Sequence, residues 1–291
     1  MIRKKHDNCI ICFSNKLKAL DSYLRVPLYK CQSCSFVFAQ DIPTSDDLKE
    51  YYKNYGKQQY LSPVTIARYH QWLDQFESYK KTGRILDVGC GVGFFLAEAK
   101  KRGWQVYGTE FSDVLVDICR EKGVEMSQGA LSAETFRGIE FDVVLSIEVL
   151  EHINNPVEEI RYIKQLLRSN GLFFCTTPNF NGISRYWLGD KYNIIAWPEH
   201  LGYFTPRTLK KLFNSQQFKT KKVTTTGFSI TRFKGSLNIS KQQVVSSVSD
   251  DEKLRVKAES NPLLKFTKSA INFILNTTGL GTSLKGWFER I

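Results

Sequence analysis

Three groups of residues carry side chains and spacings that could do chemistry. The first is the turn Asp87-Val88-Gly89-Cys90-Gly91-Val92-Gly93, with Glu110 lying 23 residues beyond Asp87. Glycines at 89, 91 and 93 remove the Cβ atoms that would keep a ligand off the backbone. The third glycine of a dinucleotide-binding GxGxxG pattern is missing, because Phe94-Phe95 follow Gly93. An anion at Asp87 would repel a pyrophosphate and attract an ammonium group, while a carboxylate at Glu110 could accept both hydroxyls of a ribose. A ligand with a ribose and a cationic amino acid tail satisfies both. The second group is Cys9-x-x-Cys12 and Cys31-x-x-Cys34, two knuckles separated by 18 residues. Four thiolates complete a tetrahedron and leave no open position for water, so the expected zinc ion is structural and not catalytic. The third group is His152, with Glu151 before it, and His200, with Glu199 before it. Histidine takes up protons near working pH and suits the role of base.

These groups need elements to hold them. Ile66, Tyr69, Trp72, Leu73 and Phe76 recur at helical spacing, and then the period changes. Strands are expected at 84–88, 105–109, 124–127, 141–147 and 172–177, with helices at 94–102, 112–122 and 156–168. Such alternation means βαβ units and a parallel sheet, with ligands at the carboxyl ends of its strands. An aromatic, Asn-rich loop, 178–202, follows the fifth strand and carries Glu199 and His200; long loops in compact domains are often functional. Thr205-Pro206 starts another helix, and 221–228 is β-like. From about 239 the chain opens polar and turns amphipathic through Leu263, Phe266, Ile271, Phe273 and Ile274, then Leu284, Trp287 and Phe288.

With 42% hydrophobic residues and 24% charged, the 291-residue chain has material for a core and is neither disordered nor collagenous. No apolar run is long enough for a transmembrane helix, and the charged start leads into no signal-like segment, so the expected setting is cytoplasmic. The formal charge of +12 points to an anionic partner. Apart from Arg3-Lys4-Lys5 there is no dense basic run, and no nucleic-acid recognition motif, so nucleic acid is not expected.

The chain resembles the class I S-adenosylmethionine-dependent methyltransferases. The first family motif is matched by Asp87 to Gly93 and the ribose-binding acid by Glu110. Phe141-Asp142-Val143-Val144 and Glu148-Val149-Leu150-Glu151-His152-Ile153 look like the fourth motif of the branch that includes ubiquinone-biosynthesis O-methyltransferases and many sugar methyltransferases. Gly171-Leu172-Phe173-Phe174, Pro198-Glu199-His200-Leu201 and Phe204-Thr205-Pro206 continue the pattern in order. The likeness extends to the N-terminus, since methyltransferases of bacterial polysaccharide and deoxysugar gene sets often carry such a CxxC…CxxC module. It implies a Rossmann-like α/β sheet, S-adenosylmethionine as donor, and cofactor contacts from Tyr60, Asp87, Gly89, Cys90, Gly91, Gly93, Glu110, Phe111, Ala130 and Ser146. The stretch at Gly129-Ala130-Leu131 lacks the acidic residue of many relatives.

The expected organisation is a zinc ribbon over 1–58, a methyltransferase domain over 59–238 and an amphipathic helical tail over 239–291. The acceptor is expected to be a small molecule or glycan, such as a nucleotide sugar or lipid-linked sugar of surface polysaccharide or natural-product synthesis. His200 with Glu199 is the first choice of base and His152 the second. A quinone or small lipid acceptor is the alternative, as is a non-enzymatic scaffold. The tail's apolar face is read as packing on the catalytic domain or a second subunit in preference to a membrane at the inner face of the cell.

Overall fold

The computed structural model describes residues 4–52, 60–227 and 250–291. The expected boundaries at 58/59 and 238/239 lie outside them. The main sheet has seven strands: β4 (Arg84–Val88), β5 (Gln105–Glu110), β6 (Glu125–Gln128), β7 (Phe141–Ile147), β8 (Leu167–Pro178), β10 (Phe218–Thr226) and β11 (Ser283–Arg290), in the order β10-β11-β8-β7-β4-β5-β6. Strands β8, β7, β4, β5 and β6 are mutually parallel, and β11 runs antiparallel to both β8 and β10. Strands β4, β7 and β8 are buried along most of their length, as parallel strands covered on both faces must be.

Helices α2 (Pro63–Phe76), α3 (Phe94–Lys101), α4 (Asp113–Glu121), α5 (Pro156–Leu166), α6 (Ile183–Leu188) and α7 (Pro206–Ser215) surround it, after a short α1 (Ser45–Tyr52). Several begin at a polar residue followed by proline: Ser62-Pro63, Asn155-Pro156 and Thr205-Pro206. The cap side chain satisfies an orphan N–H, and proline at the next position has no N–H to leave unmet. At the amino ends of the strands, buried Asp142 accepts from the Lys81 and Gly83 N–H groups at 2.8 and 2.7 Å and pairs with Arg168 at 2.6 Å. Burial alone would raise this carboxyl, but Arg168 and the backbone donors hold it below its ordinary value.

The C-terminal reading needs correction. Helices α8 (Asp250–Ser260) and α9 (Pro262–Thr278) agree with an amphipathic helical tail. Residues 283–290 do not, because they form β11, threaded between β8 and β10. Leu284, Trp287 and Phe288 are buried there. Their i, i+3, i+4 spacing imitates a helix, but a strand buried on both faces imposes no polar alternation.

The four-cysteine segment forms a second sheet, β1 (Leu17–Ala19), β2 (Leu28–Cys31), β3 (Val37–Ala39) and β9 (Gly202–Tyr203). Its last strand comes from the catalytic part of the chain. Cys9, Cys31, Cys34, Phe36 and Phe38 share one buried cluster with Leu86, Val144, Phe173 and Phe204, so the segment packs as part of the main core.

Candidate active site

Strand β4 delivers Asp87 and then turns through Gly89, Gly91 and Gly93, at φ of 71°, 55° and 71°. All three sit in the left-handed region that favours glycine. They serve different ends. A Cβ on Gly89 would lie 2.7 Å from Val149 Cγ2, and one on Gly93 2.8 Å from Cys119 Sγ, whereas one on Gly91 would meet nothing within 4 Å. Gly89 and Gly93 therefore let the turn pack, and Gly91 keeps open space at its tip. Asp87 is buried, and its Oδ1 has no hydrogen-bond partner among the described residues. Burial pushes its carboxyl well above the ordinary value, with the thiol of Cys119 and the carboxylate of Glu110 adding to the rise. An orphaned buried carboxylate oxygen beneath an open glycine turn fits the ammonium end of S-adenosylmethionine.

Glu110 ends β5 and anchors the same turn. Its Oε2 accepts from the Gly91 N–H at 3.0 Å, and its Oε1 from the Phe111 and Ser112 N–H groups at 2.8 and 3.2 Å. The carboxylate is thus fixed against the turn. Phe111 is exposed and Ala130 lies at the surface beyond β6, while Ser146 is buried at the end of β7. Cys90 turns its sulfur under the loop, 3.9 Å from Cys119 Sγ and from Met126 Sδ. The hydrogen bond to Cys119 and burial raise its thiol, which makes it packing and not a nucleophile. Tyr60 donates its hydroxyl to Glu252 of α8 at 3.4 Å.

The two histidines meet above the carboxyl ends of β7 and β8. Their ring centroids are 5.0 Å apart at 73°. His152 Nδ1 donates to the Glu199 carbonyl and His200 Nδ1 to the Ile194 carbonyl, both at 2.7 Å. In its neutral form each ring therefore keeps its proton on Nδ1. Burial, with His200 adding, pulls His152 down to about 4. The sequence pairs His200 with Glu199; in the fold the carboxylate that gathers with both imidazoles is Glu151, the three ligand atoms lying within 4.8 Å of one another. Glu199 contributes its backbone carbonyl to His152. One nitrogen of each imidazole and a carboxylate oxygen are also a donor set for a divalent cation.

The four-cysteine segment reaches this site. Cys9 and Cys34 Sγ lie 3.5 Å apart, as do those of Cys12 and Cys31, and all four fall within 4.8 Å of one another. Tetrahedral zinc with bonds of about 2.3 Å places its sulfurs about 3.8 Å apart, so the thiols fit that ion. Both knuckles are built alike: the Phe13 N–H donates to Cys9 O and the Ser35 N–H to Cys31 O, at 2.9 and 2.8 Å. From Cys34 the chain runs directly into β3, which pairs Val37 with Tyr203 and Phe38 with Gly202. The Ala39 N–H donates to Leu201 O, and the Leu201 N–H to Glu151 O, at 2.9 and 2.8 Å. Arg25 adds bonds to the carbonyls of Tyr192 and Ile195, and Asp41 O accepts from Trp197 Nε1 at 3.1 Å. The loop carrying His200 is held by the cysteine segment.

Three residues with no assigned role in the sequence reading also stand at this rim. Glu148 follows β7 at φ 55° and accepts from Thr176 Oγ1 at 2.8 Å, a left-handed conformation that costs about 1 kcal/mol in a residue with a side chain. Burial pushes Tyr69 up to about 12, with the charge of Asp87 contributing. Burial also lowers Lys285 of β11 to about 8, with Arg68 adding to the fall. The Glu148 signal was present in the run 148–153; Lys285 became legible only once β11 took its place in the sheet.

Comparison with known proteins matches residues 61–223 to the methyltransferase domain family. The ubiquinone biosynthesis O-methyltransferase of Ruegeria sp. (strain TM1040) is 36% identical over 104 residues, covering 34% of this chain and 42% of that protein. The protein of the same name from Roseobacter denitrificans is 34% identical over 128 residues, covering 42% of this chain and 51% of its own. The chain thus spans about half the length of the curated relatives it matches. In structure it is similar to a SAM dependent methyltransferase from Archaeoglobus fulgidus, with 17% identity and a TM-score of 0.50 over 84% of this chain and 98% of that one.

Proposed function

The chain belongs to the methyltransferase domain family, and from that premise we propose that it transfers a methyl group from S-adenosylmethionine to a hydroxyl or carbon of a sugar, free as a nucleotide sugar or lipid-linked, in bacterial surface polysaccharide or natural-product synthesis. The observation that carries the donor is the buried Asp87 Oδ1, which has no partner among the described residues. The donor, when bound, supplies an electrophilic methyl group on a positively charged sulfur.

The chain's own residues do the rest. Asp87 binds the donor's ammonium, the open space at Gly91 admits its amino acid end, and Glu110, already fixed by three backbone donors, receives the ribose. His200 Nε2 takes the acceptor proton while Nδ1–H stays on Ile194 O, which sets the tautomer and the ring's aim. His152, neutral at pH 7, lies edge-on to it. The loop over 180–197 shapes the acceptor side, and Cys9, Cys12, Cys31 and Cys34 would hold a zinc ion that would stiffen the segment holding this loop. A quinone or small lipid acceptor is the second reading, favoured by the ubiquinone-biosynthesis relatives.

The test is turnover, read by mass of the product, with nucleotide sugars, lipid-linked sugars and quinols as acceptors. His200→Gln should lower kcat by about a hundredfold or more and leave donor affinity unchanged. Turnover that survives His200→Gln would take the role of base away from His200. Donor binding with no turnover of any sugar or quinol would remove both acceptor readings.

A further inference from the structure

Asp87 has a counterpart of opposite sign three strands away in the sheet. Lys285 lies on β11 opposite Thr176 of β8 and Thr224 of β10, two residues in from the end of its strand at the carboxyl rim. Trp287 shares its strand face and joins the buried cluster of Trp72 and Phe76, so this is the side of the sheet that α2 covers. Arg68 stands one helical turn before Trp72 on α2, as Lys285 stands one strand repeat before Trp287. Guanidinium and ammonium are thereby brought to the same end of the sheet, and Arg68 helps to lower the proton affinity of Lys285.

The half-buried Lys285 is short of anions. Its Nζ donates to Thr226 Oγ1 at 2.9 Å, and among the described residues no carboxylate lies within ion-pair distance of it. The acids nearby are engaged: Glu148 accepts from Thr176 Oγ1 at 2.8 Å, and Glu259 of α8 pairs with Lys268 of α9. The charged groups that bear on Lys285 are Arg68 of α2, Lys268 of α9, Lys222 of β10 and Glu148, so three cations face it against one carboxylate. An ammonium in such a place gives up water without gaining a counter-charge. Held at the rim where ligands of α/β sheets bind, it matches an anionic group on the ligand.

We propose that Lys285 binds the phosphate of the acceptor, a sugar carried on a diphosphate ester. Charge selects that chemistry. Arg68, Lys222, Lys268 and Lys285, four cations, against Glu148 and Glu259, two carboxylates, leave two positive charges, which a diphosphate bridging a sugar to its carrier matches. A quinol brings no charge to neutralise them. The inference rests on the sugar reading above, whose nucleotide-linked and lipid-linked forms share this ester, and it assigns the residue that recognises it. Binding energy from the ester, remote from the reacting atoms, would serve to align the hydroxyl or carbon.

Full-length, zinc-loaded protein saturated with S-adenosylhomocysteine would be titrated calorimetrically with uridine diphosphate, inorganic pyrophosphate and geranyl diphosphate. Wild type should bind, and Lys285→Met should weaken binding by about tenfold or more while its affinity for S-adenosylhomocysteine stays unchanged. Uridine diphosphate binding tighter than geranyl diphosphate assigns the nucleotide-linked form, and the reverse order the lipid-linked form; either order supports the site. A second readout needs no variant. Uridine diphosphate stays fully ionised from about pH 7.5 to about 9.5, so wild-type affinity should fall roughly tenfold over that range as Lys285 loses its proton near 8. Equal binding by Lys285→Met, a flat wild-type pH profile, or no binding of any of the three by wild type overturns the proposal. The two readings fail separately. Turnover of a nucleotide sugar with KM unchanged in Lys285→Met removes the phosphate contact and keeps the sugar. Phosphate binding lost in Lys285→Met with no sugar turned over keeps Lys285 as the phosphate site and removes the sugar.

Discussion

At Cys9, Cys12, Cys31 and Cys34 each sulfur has another as its neighbour, while at Asp87 a buried carboxylate oxygen has no partner among the described residues. Both regions are tight turns that gather potential ligating or binding atoms, and the difference separates a site that completes the fold from one that waits for a ligand. The cysteine knuckles close on themselves and leave no room for substrate. The glycine turn holds a desolvated anion under open space, an arrangement that costs stability until a cation arrives. The regions are joined through β3 and β9, so the closed one fixes the loop that carries His200 beside the open one.

Breaking the closed site should have the largest effect. Cys31→Ser, or metal stripping with a strong chelator, should unfold the cysteine segment, because structural zinc binding supplies folding free energy on the order of 10 kcal/mol. Since β9 then loses its partner strand, turnover should fall far more than donor affinity; calorimetry with donor on the stripped protein reads the two separately. Donor affinity lost in parallel with turnover would show that the coupling does not run through the His200 loop. A smaller effect is expected at Glu110→Gln, which keeps shape but weakens acceptance of the ribose and of the Gly91 N–H: roughly tenfold weaker donor binding, with little change in Tm. A large drop in Tm would show that weaker binding follows from loss of the turn that Glu110 anchors and not from the ribose contact.

The smallest effect belongs to the knuckles. Phe13 and Ser35 occupy equivalent positions after the second cysteine of each pair, at φ of 60° and 68°. Ser35→Gly should raise stability by about 0.5 kcal/mol, since glycine takes that conformation without a Cβ clash. Thermal denaturation of the zinc-loaded protein reads it, and a loss of stability would mean that the side chain contributes more than the strain it bears.

How much of this could be read in the sequence depended on how local the determinants were. The glycine turn, the cap-and-proline helix starts and the cysteine spacing are written within a few residues, and they led to the right sheet and helices. Strand β11 was not legible, because Leu284, Trp287 and Phe288 have helical spacing and only their neighbours β8 and β10 make them a strand. The gathering of Glu151 with His200 was not legible either. Glu199 adjoins His200 in sequence, but adjacency along a loop does not fix which carboxylate the fold brings to an imidazole 49 positions away. The pattern gave helix α9 correctly, but its apolar residues Leu263, Phe266, Phe273 and Ile274 are exposed and do not pack on the catalytic domain.

The central claim is that Asp87 is kept buried, with its Oδ1 unpartnered among the described residues, in order to bind the donor's ammonium. Isothermal titration of S-adenosylmethionine into wild type and Asp87→Asn, with Tm of both free proteins, tests it most directly. The folded pKa of Asp87 lies well above its ordinary value of 3.8, so the free fold gains stability as pH falls through the folded value, and the gain is complete below 3.8. Donor binding, which requires the carboxylate, should therefore weaken as pH falls over the same range and release a proton. Asp87→Asn should bind donor about a hundredfold more weakly yet melt higher than wild type, by about 1 kcal/mol, because a neutral amide is cheaper to bury. Unchanged donor affinity, or a variant that binds weakly because it has lost its fold, would contradict the account.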